Sequence, residues 1–224
     1  MKHPFSIIGF DLDGTLVDSR TDIAIAVNAA LAGIGRPALT LDAVTRMIGG
    51  GVTRLLEQAL VATGGADGVD FPALRAVMLA HYGAHLSVHT RPYPGVEAVL
   101  TELAAGDTQL AVVTNKPEAL AVALLDQLGL TRHFRVVIGG DTMGPGRAKP
   151  DPAPVLAMID RLGGGPAAFV GDSQFDVGAA RAAGIPVIAV DFGFSSVPAA
   201  DLGADAVIGD FADLPAALAD QAGR

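Results

Sequence analysis

Residues 7–19 read IIGFDLDGTLVDS. The apolar run Ile7–Phe10 has the character of a strand buried on both faces of a parallel sheet. It ends in two aspartates spaced by one residue, Asp11 and Asp13, followed by Gly14 and Thr15. In open α/β sheets the carboxyl ends of strands are where ligands bind. Two carboxylates placed there repel each other and are costly to desolvate, so a cation is expected between them. An Asp-Gly turn after a strand would account for Gly14. It leaves Asp11 and Thr15 unexplained.

Beyond residue 90 strand-like and helical segments alternate. The strand-like runs are Leu110–Thr114, Val136–Gly139, Ala167–Gly171, Val187–Val190 and Ala206–Ile208. Helical stretches over Val96–Ala105, Glu118–Gln127, Pro154–Leu162 and Phe175–Ala183 lie between them, with Gly106, Gly129, Gly163 and Gly184 as stop signals. Such alternation predicts an α/β, Rossmann-like parallel sheet with helices on both faces. Ile7–Asp11 belongs to that sheet in character but precedes the rest by about eighty residues. The intervening segment contains no strand-like run. It carries helical stripes at Ile23, Val27, Leu31 and Ile34, at Leu55, Leu56, Ala59 and Leu60, and at Leu74, Met78, Tyr82 and His85. Ser19 is expected to cap its first helix, with Asp22 as a capping-box partner. The chain is therefore divided into an α/β core (residues 1–17 and 89–224) and a helical domain inserted after the first strand (residues 18–88), with hinges near Asp18 and His89.

Composition narrows the function. The 224 residues are 50% hydrophobic and 17% charged, with a net charge of -9. A sizeable core is expected, and nucleic acid or an anionic membrane is disfavoured as a partner. The chain has no cysteine, which excludes disulfides and thiolate chemistry. No secretory or membrane-spanning segment is evident, so a cytoplasmic protein, monomer or homodimer, is expected. An anionic substrate would need local positive charge or a metal, and the only lysines are Lys2, Lys116 and Lys149.

Several strands end in residues that carry chemistry. Asp11 and Asp13 follow the first, Thr114-Asn115-Lys116 the second, Asp141 the third, and Asp172-Ser173 the fourth, with Asp176 four residues further on. In a parallel sheet these ends share one edge. The loop bearing Lys149 joins them. His81 and His85 have helical i,i+4 spacing, but no third ligand accompanies them, which argues against zinc.

This set resembles the haloacid dehalogenase superfamily of aspartyl phosphatases and phosphotransferases. Asp11-Leu-Asp-Gly-Thr15 is similar to its first motif, Thr114 after a hydrophobic strand to the second, Lys149-Pro150 to the third, and Gly171-Asp-Ser-Gln-Phe-Asp176 to the fourth. The helical insertion resembles that superfamily's C1-type cap. The resemblance implies that Asp11 attacks phosphorus and forms an acyl phosphate. It implies that Asp13 protonates the leaving oxygen and then activates water. Mg²⁺ would be held by the side chains of Asp11 and Asp172 and the backbone carbonyl of Asp13, with Asp176 in or just outside the ligand shell. Lys149 would steady the nucleophile and the phosphate, Thr114 would donate to a phosphoryl oxygen, and Gly14 and Thr15 would lie against the phosphate.

The cap is expected to set the substrate. Asp13 argues against dehalogenation, and the absence of lysine from residues 18–88 argues against the phosphonate-hydrolysing branch. Arg46-Met-Ile-Gly-Gly-Gly51, Thr90–Val96 and Val112–Pro117 resemble the phosphoglycolate phosphatase branch. Arg46 is placed there as a candidate for pairing with a substrate carboxylate. Asn115 and Lys116 are placed at the substrate as well. A small phosphorylated metabolite, 2-phosphoglycolate foremost, is the expected partner. A β-phosphoglucomutase-like phosphotransferase, a broad-specificity or pyrophosphate phosphatase, and a phospho-aspartate regulatory domain are the alternatives.

Overall fold

The computed structural model describes residues 4–221. Six strands form one parallel sheet: β1 (Ile7–Phe10), β4 (Gln109–Val113), β5 (Phe134–Ile138), β6 (Ala167–Gly171), β7 (Val187–Val190) and β8 (Ala206–Ile208), in the order β5-β4-β1-β6-β7-β8. The remaining two, β2 (Val17–Asp18) and β3 (Arg91–Pro92), pair antiparallel as a short separate ribbon. The main sheet continues from β1 towards β4 on one side and β6 on the other. The strand order therefore reverses at β1, which opens a crevice at the carboxyl ends of these three strands.

Alternation along the strands feeds two apolar layers. Ile8, Phe10, Leu110, Val112 and Val170 face helices α5 (Val96–Ala104), α6 (Glu118–Gln127) and α9 (Leu214–Asp220). Ile7, Ala111, Val113 and Phe169 face α7 (Ala153–Arg161) and α8 (Gln174–Ala182). Gly9 is required on this second face, because a Cβ there would collide with Met158 and Phe169. Each expected strand and helix of the core forms within a residue or two of its reading. Helix α9 and the 3₁₀ turns were not anticipated, being short segments with no long apolar period.

Residues between the ribbon strands form α1 (Arg20–Gly33), α2 (Leu41–Thr45), α3 (Gly51–Ala62) and α4 (Phe71–Ala84). The ribbon pairs Val17 with Pro92 and Asp18 with Arg91, so the chain leaves and re-enters the sheet region at one place. Each of its strands is only two residues long, too short to register as an apolar run. Two residues of the helical stripes turn outward. Ile34 and His85 lie beyond the ends of α1 and α4, and Leu86 packs inward instead. Ser19 does not cap α1 with its side chain, and Asp22 forms no capping box. The buried Asp22 carboxylate instead accepts hydrogen bonds from His89 N (2.9 Å), Thr90 N (2.8 Å) and Thr90 Oγ1 (2.7 Å). Long-range donors outcompete the local N-terminal amides, and α1 is thereby fastened to the return passage.

Candidate active site

The site grows from strand register. Phe10 lies level with Val112 on β4 and Val170 on β6. Asp11 therefore emerges between the two neighbouring strands, with Thr114 and Asp172 one residue beyond the strand ends. Asp11 N donates to Val170 O (2.9 Å), holding the aspartate at the sheet's edge.

Lys149 projects from the loop before α7 and is almost wholly buried. Its Nζ lies 2.9 Å from Asp11 Oδ1 and donates to Asp176 Oδ1 (2.6 Å) and Val113 O (2.7 Å). Asp176 is the N3 residue of α8 and forms a capping box with Ser173. Its Oδ2 accepts from Ser173 Oγ (2.6 Å), Ser173 N (3.0 Å) and Asp172 N (3.3 Å). Both Asp176 oxygens are engaged, so it braces Lys149 and the Asp172 backbone. Gly171 admits this packing; a Cβ there would collide with Asp176.

Asp172 accepts from Phe194 N through Oδ2 (2.6 Å). It is seated between Gly14 and Gly193, where an added Cβ would strike its side chain. Gly14 also has φ +89°, a left-handed conformation that glycine adopts without strain. Ligand atoms of Asp11, Asp172 and Asp176 lie within 4.8 Å of one another. Three carboxylates face one ammonium, an excess of two negative charges if all are ionised. Burial and crowding both act on the carboxyls of the cluster. Burial, opposed by Lys149 and reinforced by Asp176, raises the Asp11 carboxyl to about 6. Burial, followed by Asp176 and Asp11, pushes Asp172 well above the ordinary carboxylate range. Lys149 is held above the ordinary lysine value because its carboxylate partners outweigh its desolvation. A hard divalent cation with oxygen ligands fits this donor set, and Asp11 and Asp172 are the better placed to hold it.

Asp13 points to a different partner. Both of its oxygens lie 2.7 Å from Lys116 Nζ, and Oδ1 also accepts from Ser19 Oγ (2.6 Å). Lys116 lies over the Tyr82 ring, 4.7 Å from its centroid. Thr114 Oγ1 accepts from Lys116 N (3.2 Å), which leaves its own proton free to donate. Asp11, Asp13, Thr114, Asn115 and Lys116 line one cavity of about 50 Å³, covered by Ile48, Gly49, Gly51, Val52 and Leu55 from the insertion and by Met78 and Tyr82 of α4.

Three expected contact residues are not on that cavity. The Thr15 side chain is fully buried and its hydroxyl has no partner. Gly14 acts on the Asp172 side instead. Arg46 is exposed at the end of α2, on a neighbouring polar pocket with Arg54, Ser173 and Phe175. The turn after α2 carries Arg46 away from Asp11 while delivering Gly49 and Gly51 to it. Asn115 has a dual attachment: its Nδ2 donates to Gly49 O and to Lys149 O, both at 2.9 Å. Asp141 accepts from Glu118 N (2.8 Å) and caps α6. Ser19 and Tyr82 were not singled out for the site. A buried hydroxyl six residues after Asp13 was a usable signal, whereas Tyr82 looked like any core aromatic. The Phe194 amide left no side-chain signal.

A buried carboxylate trio with a lysine, at the reversal point of a parallel sheet and beneath a helical insertion, defines a doubly wound α/β protein with an acid-centred site. Residues 8–190 match the family model for haloacid dehalogenase-like hydrolases. The chain belongs to that family. It is 45% identical over 212 residues to a phosphoglycolate phosphatase of Rhodospirillum rubrum, covering 92% of this chain and 87% of that protein. A phosphoglycolate phosphatase of Thiobacillus denitrificans is 40% identical over 217 residues, covering 94% of each. Among solved structures, a predicted phosphoglycolate phosphatase from Haemophilus somnus superposes with a TM-score of 0.89 at 34% identity, covering 95% of this chain and 97% of that one.

Proposed function

We propose that the protein is a Mg²⁺-dependent phosphomonoesterase that hydrolyses 2-phosphoglycolate to glycolate and phosphate through an aspartyl phosphate on Asp11. The observation that carries this reading is the placement of Asp11. It is buried against Lys149, within reach of Asp172, and open to a small cavity that also holds Asp13 and Thr114. The relatives named for this activity support the choice of substrate.

Asp11 and Asp172 would hold Mg²⁺, with the Asp13 carbonyl as a further oxygen; the bound ion offsets their charge and that of the phosphate. Asp11 attacks phosphorus, and the bond to the leaving oxygen breaks as Asp13 delivers a proton to it. Asp13 then takes a proton from water as that water attacks the acyl phosphate, which returns Asp11 as a carboxylate. Lys149 keeps Asp11 oriented and neutralises the transferring phosphoryl group, and Thr114 donates to one of its oxygens. Asp176 keeps Lys149 in position. Residues 18–88 form the cap over this site, opening on the Val17–Pro92 ribbon to admit substrate and closing to exclude water.

The test is kcat/KM across small phosphoesters, pyrophosphate and hexose phosphates, with and without Mg²⁺. 2-Phosphoglycolate is expected to lead, and interconversion of a hexose phosphate without phosphate release would favour a mutase. Asp11→Asn should lower turnover by at least about 10³-fold with the fold retained by circular dichroism. Asp13→Asn should form phosphoenzyme from an activated ester and hydrolyse it slowly, as followed by quench-flow; normal turnover of every ester would remove Asp13 from the acid/base role.

A further inference from the structure

Lys116 stands in an unusual position for a substrate-binding lysine. It is 7% exposed, and its ammonium is held by both oxygens of Asp13. Asp13 is the group that has to reach the leaving oxygen, and a carboxylate gripped through both oxygens is not free to do so. Among the described residues lining the cavity, Lys116 brings the only cationic side chain. Arg46 and Arg54 belong to the neighbouring pocket. The wall around Lys116 is otherwise apolar, formed by Ile23, Leu55, Met78 and Leu120. It also holds the buried Tyr82 hydroxyl, which lies beside the Lys116 ammonium and whose own proton has no acceptor. A desolvated ammonium beside an unused phenolic donor is a receptor for one small anion.

The chemistry of the substrate fits that receptor. In 2-phosphoglycolate a single methylene separates the ester oxygen from the carboxylate. A group that lies next to Asp13, and hence next to the leaving oxygen, is therefore next to the substrate's carboxylate as well. Building on the phosphoglycolate reading, we propose that Lys116, assisted by the Tyr82 hydroxyl, is the carboxylate-reading residue of the site, that Asp13 is its placeholder ligand in the free protein, and that the substrate's carboxylate displaces Asp13 from Lys116 toward the leaving oxygen. One carboxylate replaces another at the ammonium, and Asp13, released from its cation, takes up from solvent the proton that it delivers to the leaving oxygen. Ser19 Oγ, bonded to Asp13 Oδ1, remains as the tether that limits where the released side chain swings. An ester without a carboxylate leaves Asp13 held, so discrimination appears in kcat as well as KM.

The experiment compares 2-phosphoglycolate with ethyl phosphate, which has the same chain length and no carboxylate. Wild type, Lys116→Met, Lys116→Gln and Tyr82→Phe are assayed, each checked for folding by its melting transition. The readout is the ratio of kcat/KM for the two esters. That ratio should fall by about 10- to 100-fold in the Lys116 variants, the range of a lost charge-assisted hydrogen bond, and by a few-fold in Tyr82→Phe. An equal loss on both esters, with the ratio unchanged, overturns the proposal and leaves the phosphoglycolate reading standing: Lys116 would then only position Asp13. A wild type with no preference for 2-phosphoglycolate overturns both. If the Lys116 variants fail to fold, the Tyr82→Phe ratio decides, and an unchanged value counts against the exchange.

Discussion

Asp11 and Asp13 are separated by one residue and meet opposite surroundings. Asp11 shares Lys149 with Asp176 and lies near Asp172, whereas Asp13 has Lys116 to itself. Burial of Asp11 in this crowded cluster has a testable consequence. Burial, as the main cause, raises the Asp11 carboxyl of the folded protein from the ordinary 3.8 to about 6. Between those values the folded chain binds the extra proton and the unfolded chain does not. The protonated site is then the more stable one, and its contribution is lost as pH rises through the folded value. In EDTA, wild type should lose on the order of 1–3 kcal/mol relative to Asp11→Asn between about pH 4 and pH 7. Added Mg²⁺ should reverse that loss. Melting curves of both proteins across this range check the sign, and a parallel pH dependence would show that Asp11 is not strained.

At the scale of elements, the insertion is fastened by side chains that cap nothing locally. Asp22 binds the backbone of His89 and Thr90, and Asn28 binds Leu39 through both its N–H donor and its oxygen (2.9 and 2.8 Å). The first joins the entry and exit of the helical insertion; the second sets the path from α1 to α2. Removing the Asp22 carboxylate leaves two amides and a hydroxyl without their acceptor. Asp22→Ala should cost about 3 kcal/mol and lower the melting temperature by roughly 6–12 °C for a chain of this size. Thermal denaturation checks it, with Thr90→Val expected to lose a smaller part.

For the molecule as a whole, the described apolar core is continuous from the sheet into the insertion, through Leu12, Leu16 and Val17 to Ile23 and Val27. Across the candidate site a single amide joins the two parts. Asn115 holds Gly49 of the insertion and Lys149 of the core with one amide group, and Gly51 packs closely on the Asn115 carbonyl. In the proposed mechanism this amide would be the latch of the closing cap. Asn115→Ala should raise KM several-fold and speed hydrogen exchange of residues 47–52, because one donor to each side is lost. Unchanged exchange there would place the latch elsewhere. Among the described residues no helix is long and apolar enough to cross a membrane.

The primary structure by itself determined the alternating core and its first strand, because buried parallel strands read as short apolar runs wherever they lie. It also determined which residues end those strands, and so brought Asp11, Thr114 and Asp172 to one edge and supplied Lys149 nearby. Tertiary structure decided the pairings. Lys116 took Asp13, Asp176 was filled by Lys149 and its own helix turn, Asp22 left the α1 terminus for the return hinge, and Arg46 turned away from the cavity that Gly49 and Gly51 reach. Periodicity and strand ends are properties of consecutive residues. The partner a buried charge finds depends on distances between segments far apart in the chain, and on which of several competing donors can reach it without leaving another group unpaired.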